Sequence, residues 1–461
     1  MREMPSGSAA MSRERLQRRT MIILVITQIV GTVGVGVAPS IGVLLAGEVT
    51  QNEAWAGLAR SFSTFGAALL GLPLGNLAAR RGRRVALSTG WGTAALGSAL
   101  LVVAAQDSLL VPLFIGLLLI GAGSAVSLQS RFAATDLALT RNKAKSLSLI
   151  VWVGTLGSVL GPNLGVPGRF VGEATGLNLY ASSFLIAAVC LGLAGLLVVV
   201  LLRPDPLLRA QADSREALTA EAPAQSQPTA SEPAASELTT QKPSSRRRDP
   251  ARKPRGSIGQ IMAELKANTP ARYAVIAILT AQIVMVSIMT MTPVHIEHQG
   301  GSIEIVGVTI SLHILGMYAL SPLVGWTADT FGHRATISAG IAIFLASLVI
   351  GALLPNGTAW IMVSLILLGL GWSFVNVAAS ALFSAVVSDE VKASSQGGVD
   401  ATSNLCGATA AFIAGPLLAV TSFSVLSYIA MAVLVPLIVL TVGGSGRSVG
   451  RKGDPDSDSG A

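Results

Sequence analysis

Twelve apolar stretches, each long enough to cross a lipid bilayer, run through residues 21–443. An α-helix rises about 1.5 Å per residue, so roughly 20 apolar residues span a hydrocarbon core with every backbone group bonded inside the helix. The predicted spans are 21–46, 54–78, 85–105, 109–132, 147–167, 179–202, 272–292, 304–326, 336–354, 359–385, 396–420 and 423–443. The first span is too long for a cleaved secretory signal. We therefore expect an all-α membrane protein with twelve transmembrane helices in two six-helix halves.

The composition agrees with a membrane protein. Only 12% of the residues are charged and 51% are hydrophobic, whereas a soluble domain carries about 25% charged residues. The formal charge of +8 comes from cations spread over the loops of one membrane side. This distribution is not the one expected of a nucleic-acid-binding surface, so we expect no nucleic-acid partner. The expected partners are the bilayer, with its anionic inner leaflet, and a small solute. We expect the protein to act as a monomer.

The Lys and Arg residues indicate the orientation, because loops rich in these residues stay in the cytoplasm. They lie before the first span, between spans two and three, and between spans four and five, while the alternate loops are nearly free of them. This pattern predicts a multi-pass protein of the cytoplasmic membrane with both termini inside. The cations concerned are Arg13, Arg15, Arg18, Arg19, Arg80, Arg81, Arg83, Arg84, Arg141, Lys143 and Lys145.

A polar segment divides the twelve spans into six plus six. Residues 203–271 are rich in Ala, Ser, Pro, Gln and Glu, with a basic run near their end, and such a segment cannot form a core. We predict a disordered cytoplasmic linker, either simply solvated or resting on lipid headgroups. The predicted organisation is an N-terminal segment 1–20, a helical bundle 21–202, the linker 203–271, a second bundle 272–443 and a disordered tail 444–461.

The same loop pattern follows span two and span eight. It reads G-x-x-x-D-x-x-G-x-R, although Ala79 replaces the acid in the first copy. This loop resembles the signature of the major facilitator superfamily, and the resemblance implies a transporter whose two halves rock around a central cavity. The candidate gate residues are Gly75, Arg80, Gly82, Arg83, Gly325, Asp329, Gly332 and Arg334.

Span five contains the run GTLGSVLGPNLG, whose candidate bending residues are Gly157, Gly161, Pro162 and Gly165. The run resembles the antiporter motif of the same superfamily, which implies drug–proton exchange. Close helix packing explains the glycines equally well. Span four has Leu117 where such exporters place a buried Arg, and the centres of spans one, four, seven and ten lack Asp and Glu. A proton relay would use such groups.

A few charged or polar residues remain near the spans. Arg60 in span two is either a cation of the cavity or a side chain that reaches the surface. Arg131, Asp136, Gln396 and Asp400 are gate or capping candidates, with structural ion pairing the favoured role.

No nucleotide-binding loop and no catalytic constellation occurs in the sequence, so we expect no enzyme and no cofactor. Cys190 and Cys406 lie within spans, so neither a disulfide framework nor a thiolate zinc cluster is expected.

Soft metal ligands cluster in spans seven and eight. No Met or His occurs between Ile22 and Ile261. The two spans and the loop between them then supply Met285, Met289, Met291, His295, His298, His313 and Met317. Two i, i+4 pairs, Met285 with Met289 and His313 with Met317, each present both side chains on one helix face. Thioethers and imidazole suit Cu(I). Gap filling by Met is the alternative, but an imidazole near the membrane centre is costly and indicates a function.

The Met-x-x-x-Met and His-x-x-x-Met pairs resemble the signature of the CcoA-like copper importers of this superfamily. The resemblance implies Cu(I) uptake, with Met285, Met289, His313 and Met317 as ligands and with Met291, His295 and His298 nearer the mouth. Val286 departs from the pattern, where Phe is expected. The alternatives are transport of a small organic compound, by drug–proton exchange or riboflavin-like vitamin uptake, and a receptor or assembly protein that transports nothing.

Overall fold

The computed structural model describes residues 7–52, 54–139, 142–221, 268–387 and 389–443, and within them every regular element is helical. Twelve of the helical segments are long and apolar enough to cross a membrane. The expected class, an all-α membrane protein with twelve spanning helices, is confirmed. The basic part of the predicted linker and the predicted tail lie outside the described residues.

The helices are numbered in chain order. They are α1 Gly7–Val35, α2 Val43–Thr50, α3 Ala54–Arg81, α4 Arg83–Asp107, α5 Leu110–Ala133, α6 Lys143–Leu160, α7 Gly165–Thr175, α8 Leu179–Leu201, α9 Pro206–Glu221, α10 Thr269–His298, α11 Ile303–Tyr318, α12 Ser321–Phe331, α13 His333–Leu353, α14 Thr358–Val386, α15 Asp389–Val420 and α16 Phe423–Gly443. A π-helical turn, Ala38–Gly42, precedes α2, and a 3₁₀ turn, Gly161–Leu164, joins α6 to α7. Several spans are therefore built from two consecutive helices.

Helix α9 corrects the prediction that the linker is disordered from residue 203. Asp205 accepts hydrogen bonds from the backbone N–H groups of Leu207 and Leu208, at 3.0 and 3.2 Å, which satisfies donors that a helix start leaves free. Pro206 occupies the first helical position, where its missing N–H costs nothing. Composition alone hid this helix because its capping residues are the same polar types that mark a linker.

The chain forms two compact units. The first takes residues 1–42, 62–264 and 388–398. Its helices pack closely through small and polar residues: a Cβ atom at Gly97 would lie 2.8 Å from the Gly116 carbonyl oxygen, and Ser98 donates a hydrogen bond to the Phe184 carbonyl at 2.8 Å. Contacts of this kind stabilise helix–helix packing in a membrane. The hydrophobic effect does not, because lipid tails are as apolar as the helix surfaces.

The second unit takes residues 43–61, 265–387 and 399–461. Here α13 and α14 exchange hydrogen bonds: Ser347 donates to the Ser364 carbonyl at 2.7 Å and Ser364 donates back to the Ser347 carbonyl at 2.8 Å. Residues 43–61 belong to the predicted first bundle and residues 388–398 to the predicted second bundle. The compact units group each of these segments with the other bundle.

Candidate functional site

The imidazole of His313 is held in one orientation inside the second unit. His313 is fully buried on α11, and its Nδ1 atom lies 2.7 Å from the carbonyl oxygen of Leu365 on α14. A carbonyl can only accept, so Nδ1 donates, and Nε2 of the neutral ring keeps its lone pair. That Nε2 atom is buried and has no hydrogen-bond partner among the described residues. The site therefore contains one fixed imidazole with a lone pair available to a ligand.

Close helix packing fixes the position of this ring. A Cβ atom at Gly369 on α14 would lie 3.0 Å from the Nδ1 atom of His313, and one at Gly316 on α11 would lie 2.8 Å from the Ile366 carbonyl oxygen. These glycines let the two backbones approach. The His313 ring therefore packs against the backbone of α14. The spacing of residues in the sequence could not show this contact.

The three predicted methionine ligands are also buried. Met285, Met289 and Met317 expose 4%, 6% and 7% of their surface. Helix α14 packs against α10 and α11 more extensively than these two helices pack against each other. The structure brings the His313–Met317 pair against α14, because Gly369 lies beside both residues. Binding of one ion by both pairs stays a prediction.

The residues predicted at the mouth have different surroundings. Met291 is fully buried. The Nε2 atom of His295 lies 2.7 Å from the Pro355 carbonyl oxygen, and the ring stacks on Phe423 with centroids 4.4 Å apart. These contacts give His295 a structural role. His298 ends α10, is exposed and lines a pocket of about 570 Å³.

A polar and aromatic group near His313 was not predicted as a set. Arg60 on α3 is half-buried and interacts electrostatically with Tyr318 and with His313. The Tyr318 ring meets the Trp372 ring edge-on, with centroids 5.9 Å apart, and Trp372 Nε1 donates to Gln282 Oε1 at 3.1 Å. Only Arg60 had been singled out from the sequence. The other three residues could have been found from the sequence, because each places a polar atom within span seven, eight or ten.

The two repeated loops adopt equivalent backbones. Gly82 and Gly332 precede α4 and α13 with φ angles of 88° and 89°, a region that favours glycine. Residues 71–80 and 321–330 also share the same order of buried and exposed positions, and Arg80 and Asp329 are both exposed. The motif therefore marks a structural repeat.

The first glycine of each repeated loop is a gate candidate, and neither glycine is closely packed within its own unit. A Cβ atom at Gly75 would have only the Gln129 amide within range, at 3.9 Å, and one at Gly325 would meet nothing within 4 Å. The gate role of these glycines in another state of a transport cycle stays a prediction.

Ion pairing at the end of span four involves Asp136 and Arg83, whose Oδ2 and Nε atoms lie 2.9 Å apart. Burial raises the pKa of Asp136 above its ordinary value, and the hydrogen bond and charge of Arg83 oppose that rise. A structural role for Asp136 thus agrees with the favoured interpretation.

The other gate candidates have less distinctive surroundings. The Nε atom of Arg131 donates to the Leu128 carbonyl at 3.2 Å. In α15, Gln396 is half-buried and Asp400 exposed. In the second loop, the guanidinium of Arg334 lies 5.1 Å from the centre of the Tyr273 ring.

The glycines of span five pack against α1 and against Gly36, the residue that follows it. A Cβ atom at Gly161 would lie 2.5 Å from the Gly36 Cα atom, and one at Gly157 would lie 2.5 Å from the Ile29 carbonyl oxygen. At Pro162 the winding changes from α to 3₁₀, and α7 begins at Gly165. The glycines of this run allow close helix packing, and its proline lies where the helix type changes. The run therefore does not by itself indicate proton exchange.

Other metal chemistry receives no support from the described part of the chain. It contains no group of three or more His, Cys, Asp or Glu side chains that could hold a metal ion. Cys190 and Cys406 are free thiols. A metal ion at this site would thus depend on thioethers and a single imidazole, ligands suited to Cu(I).

Comparisons with known proteins agree with this architecture. The family model of the Major Facilitator Superfamily matches residues 21–319 and 274–456. The "Uncharacterized MFS-type transporter YdeG" of Bacillus subtilis is 35% identical over 446 residues, covering 95% of each chain. The "Riboflavin transporter RfnT" of Brucella anthropi is 27% identical over 429 residues, covering 92% of this chain and 96% of the relative.

Solved structures show the same fold. The crystal structure of the nucleoside transporter NupG superimposes with a TM-score of 0.63 at 14% identity, covering 93% of this chain and 98% of the other. At that identity the likeness establishes the fold alone. Together with the family match and the 35% identical relative, it shows that the chain is a multi-pass transporter of the Major Facilitator Superfamily and not an enzyme.

Proposed function

We propose that this transporter takes up Cu(I), with His313 as the central ligand. The observation that carries the proposal is the geometry of the ring: Nδ1 donates to the Leu365 carbonyl, while the buried Nε2 has no partner among the described residues. Metal-binding histidines characteristically donate their other ring N–H to a carbonyl or carboxylate, which fixes the tautomer and aims the lone pair at the metal.

The thioethers supply the remaining ligands in this proposal. Met317 lies four residues after His313 and shares its helix face, and both side chains are buried. On α10, Met285 and Met289 form the second pair. All four ligands are neutral, and three of them are soft thioethers. They therefore suit a monovalent soft cation and provide no strong site for Mg²⁺ or Ca²⁺.

Arg60 sets how tightly the ion is held. A guanidinium within electrostatic range of His313 repels a cation bound to that ring. Conduction requires a site that binds strongly enough to load yet weakly enough to release. We expect Arg60→Gln to retain copper longer and to slow its release.

Uptake into proteoliposomes tests the proposal. Under anaerobic conditions, vesicles with the parent chain should accumulate radiolabelled Cu(I), and His313→Ala and Met317→Leu should lower the rate by about tenfold or more, because each removes a ligand. The control is Met431→Ala on α16, a half-buried Met outside the ligand set. Parent-level uptake by both ligand variants would reject copper as the substrate of this site.

A small organic solute is the second candidate, favoured by the group of Arg60, Tyr318, Trp372 and Gln282. A guanidinium, two aromatic rings and an amide suit a planar polar molecule, which stacks and forms hydrogen bonds. The 27% identical riboflavin transporter supports this candidate. Radiolabelled riboflavin uptake that Trp372→Ala abolishes and His313→Ala leaves intact would favour it over copper.

A further inference from the structure

A groove at the start of α1 combines three arginines with an apolar wall. Arg15, Arg18, Arg19, Ile22 and Ile23 recur at the i, i+3, i+4, i+7 and i+8 positions that share one helix face. Together with Leu201, the last residue of α8, they line a groove of about 280 Å³. The sequence analysis used these arginines only to orient the chain.

The lining separates charge from apolar surface. It contains three guanidinium groups and no carboxylate, and the arginines are exposed. Ile22 exposes 52% of its surface while Ile23 is buried at 6%. The helix rises about 4.5 Å from Arg19 to Ile22. The arginines and the isoleucines of the groove are therefore separated by less than one helical turn.

Among the described residues, no ion pair joins an acid to the three arginines. Glu14, which precedes Arg15 and lies four residues before Arg18, is exposed. Asp205, near the end of α8, already accepts hydrogen bonds from the backbone N–H groups of Arg84, Leu207 and Leu208. Arg19 itself donates a long hydrogen bond of 3.4 Å to the Leu201 carbonyl, which draws its side chain toward α8. The remaining N–H donors of its fork can face a ligand.

We propose that this groove binds one anionic phospholipid. The arginine forks hold the headgroup phosphate, because guanidinium matches phosphate in a bidentate geometry. One acyl chain lies along Ile22, Ile23 and Leu201, below the phosphate. A free phosphate ion would use the arginines but gain nothing from the apolar wall, so the surface fits a lipid.

Charge-preserving substitution separates lipid binding from the positive-inside effect. Lys satisfies the orientation rule as well as Arg does, but it lacks the bidentate fork. The test uses the full purified chain in detergent and measures bound phosphatidylglycerol by native mass spectrometry, with phosphatidylcholine as the zwitterionic comparison. The matched control is Arg13→Lys, an exposed residue of the same helix whose side chain lies about 160° around the helix axis from the groove residue Arg15.

The parent and Arg13→Lys should retain phosphatidylglycerol in preference to phosphatidylcholine. The Arg15→Lys, Arg18→Lys, Arg19→Lys triple variant should lose about tenfold in retained phosphatidylglycerol. Should the triple variant fail to fold, Arg18→Lys alone should lose about threefold. Ile22→Ala should weaken binding too, since it shortens the acyl contact.

Three results would overturn the proposal. Equal retention of the two lipids would show that the groove does not select anionic lipid. Parent-level binding by the Lys variants would show that any positive charge suffices and that the arginine forks are not required. Displacement of the lipid by millimolar inorganic phosphate would show a headgroup anion site without an acyl contribution. None of these outcomes depends on the transported substrate.

Discussion

Gly161→Ala tests whether the glycines of span five are required for packing. A Cβ atom at residue 161 would lie 2.5 Å from the Gly36 Cα atom and 2.7 Å from the Val33 carbonyl oxygen. Both of these neighbours are backbone atoms. Ordinary contact begins at 3.4 Å, so the two backbones must separate by about 0.9 Å at this point. Side-chain rotation cannot relieve this contact.

The expected cost follows from overpacking. Extra atoms in a well-packed interface destabilise the folded protein by about 1–3 kcal/mol. The change from Gly to Ala in a helix stabilises it by up to about 1 kcal/mol. We therefore expect Gly161→Ala to destabilise the protein by about 1–2 kcal/mol and to lower the unfolding temperature by several degrees.

Thermal unfolding in detergent, followed by size-exclusion of heated samples, measures this change. The matched control is Gly92→Ala on α4, where a Cβ atom would meet nothing within 4 Å, so its stability should equal or exceed that of the parent. Equal unfolding temperatures for the two variants would refute the packing argument. A stable Gly161→Ala protein that transports nothing would instead favour bending as the role of this glycine.

Two further predictions concern the loops at the ends of the spans. Gly332→Ala should cost about 1–3 kcal/mol of stability, since its φ of 89° and ψ of 153° lie in a region that is almost restricted to glycine. Gly325→Ala should be neutral, and equal melting temperatures for the two variants would contradict this. Because the folded pKa of Asp136 is raised, its carboxyl contributes stability that is present at low pH and is lost as the pH rises through that pKa. The stability difference between the parent and Asp136→Asn should show this trend, and Arg83→Gln should raise the pKa further; a carboxyl infrared titration at or below the ordinary pKa would contradict it.

The sequence predicted the spans because lipid imposes a simple rule on them. Backbone groups must pair inside each helix, so length and apolarity suffice, and the last span, predicted at 423–443, is observed as Phe423–Gly443. Helix α9 was missed because its start depends on capping by a single residue, Asp205. Helix starts of this kind depend on local geometry that composition does not encode.

The candidate site was predictable in its residues but not in its arrangement. The i, i+4 spacing identified His313 and Met317, since helical periodicity fixes which side chains share a face. It could not show the contact of His313 with Leu365, which is 52 residues away. Gln282, Tyr318 and Trp372 escaped because each is unremarkable alone, and only the packing of α10, α11 and α14 groups them.

Anaerobic titration of the purified chain with Cu(I), in competition with a chromophoric chelator, tests the central claim most directly. We expect about one bound ion per chain, with a nitrogen donor and sulfur donors in the X-ray absorption spectrum. His313→Asn should lose that nitrogen and bind Cu(I) about tenfold more weakly. A chain that binds no Cu(I), or a His313→Asn variant with unchanged affinity and unchanged donors, would contradict it.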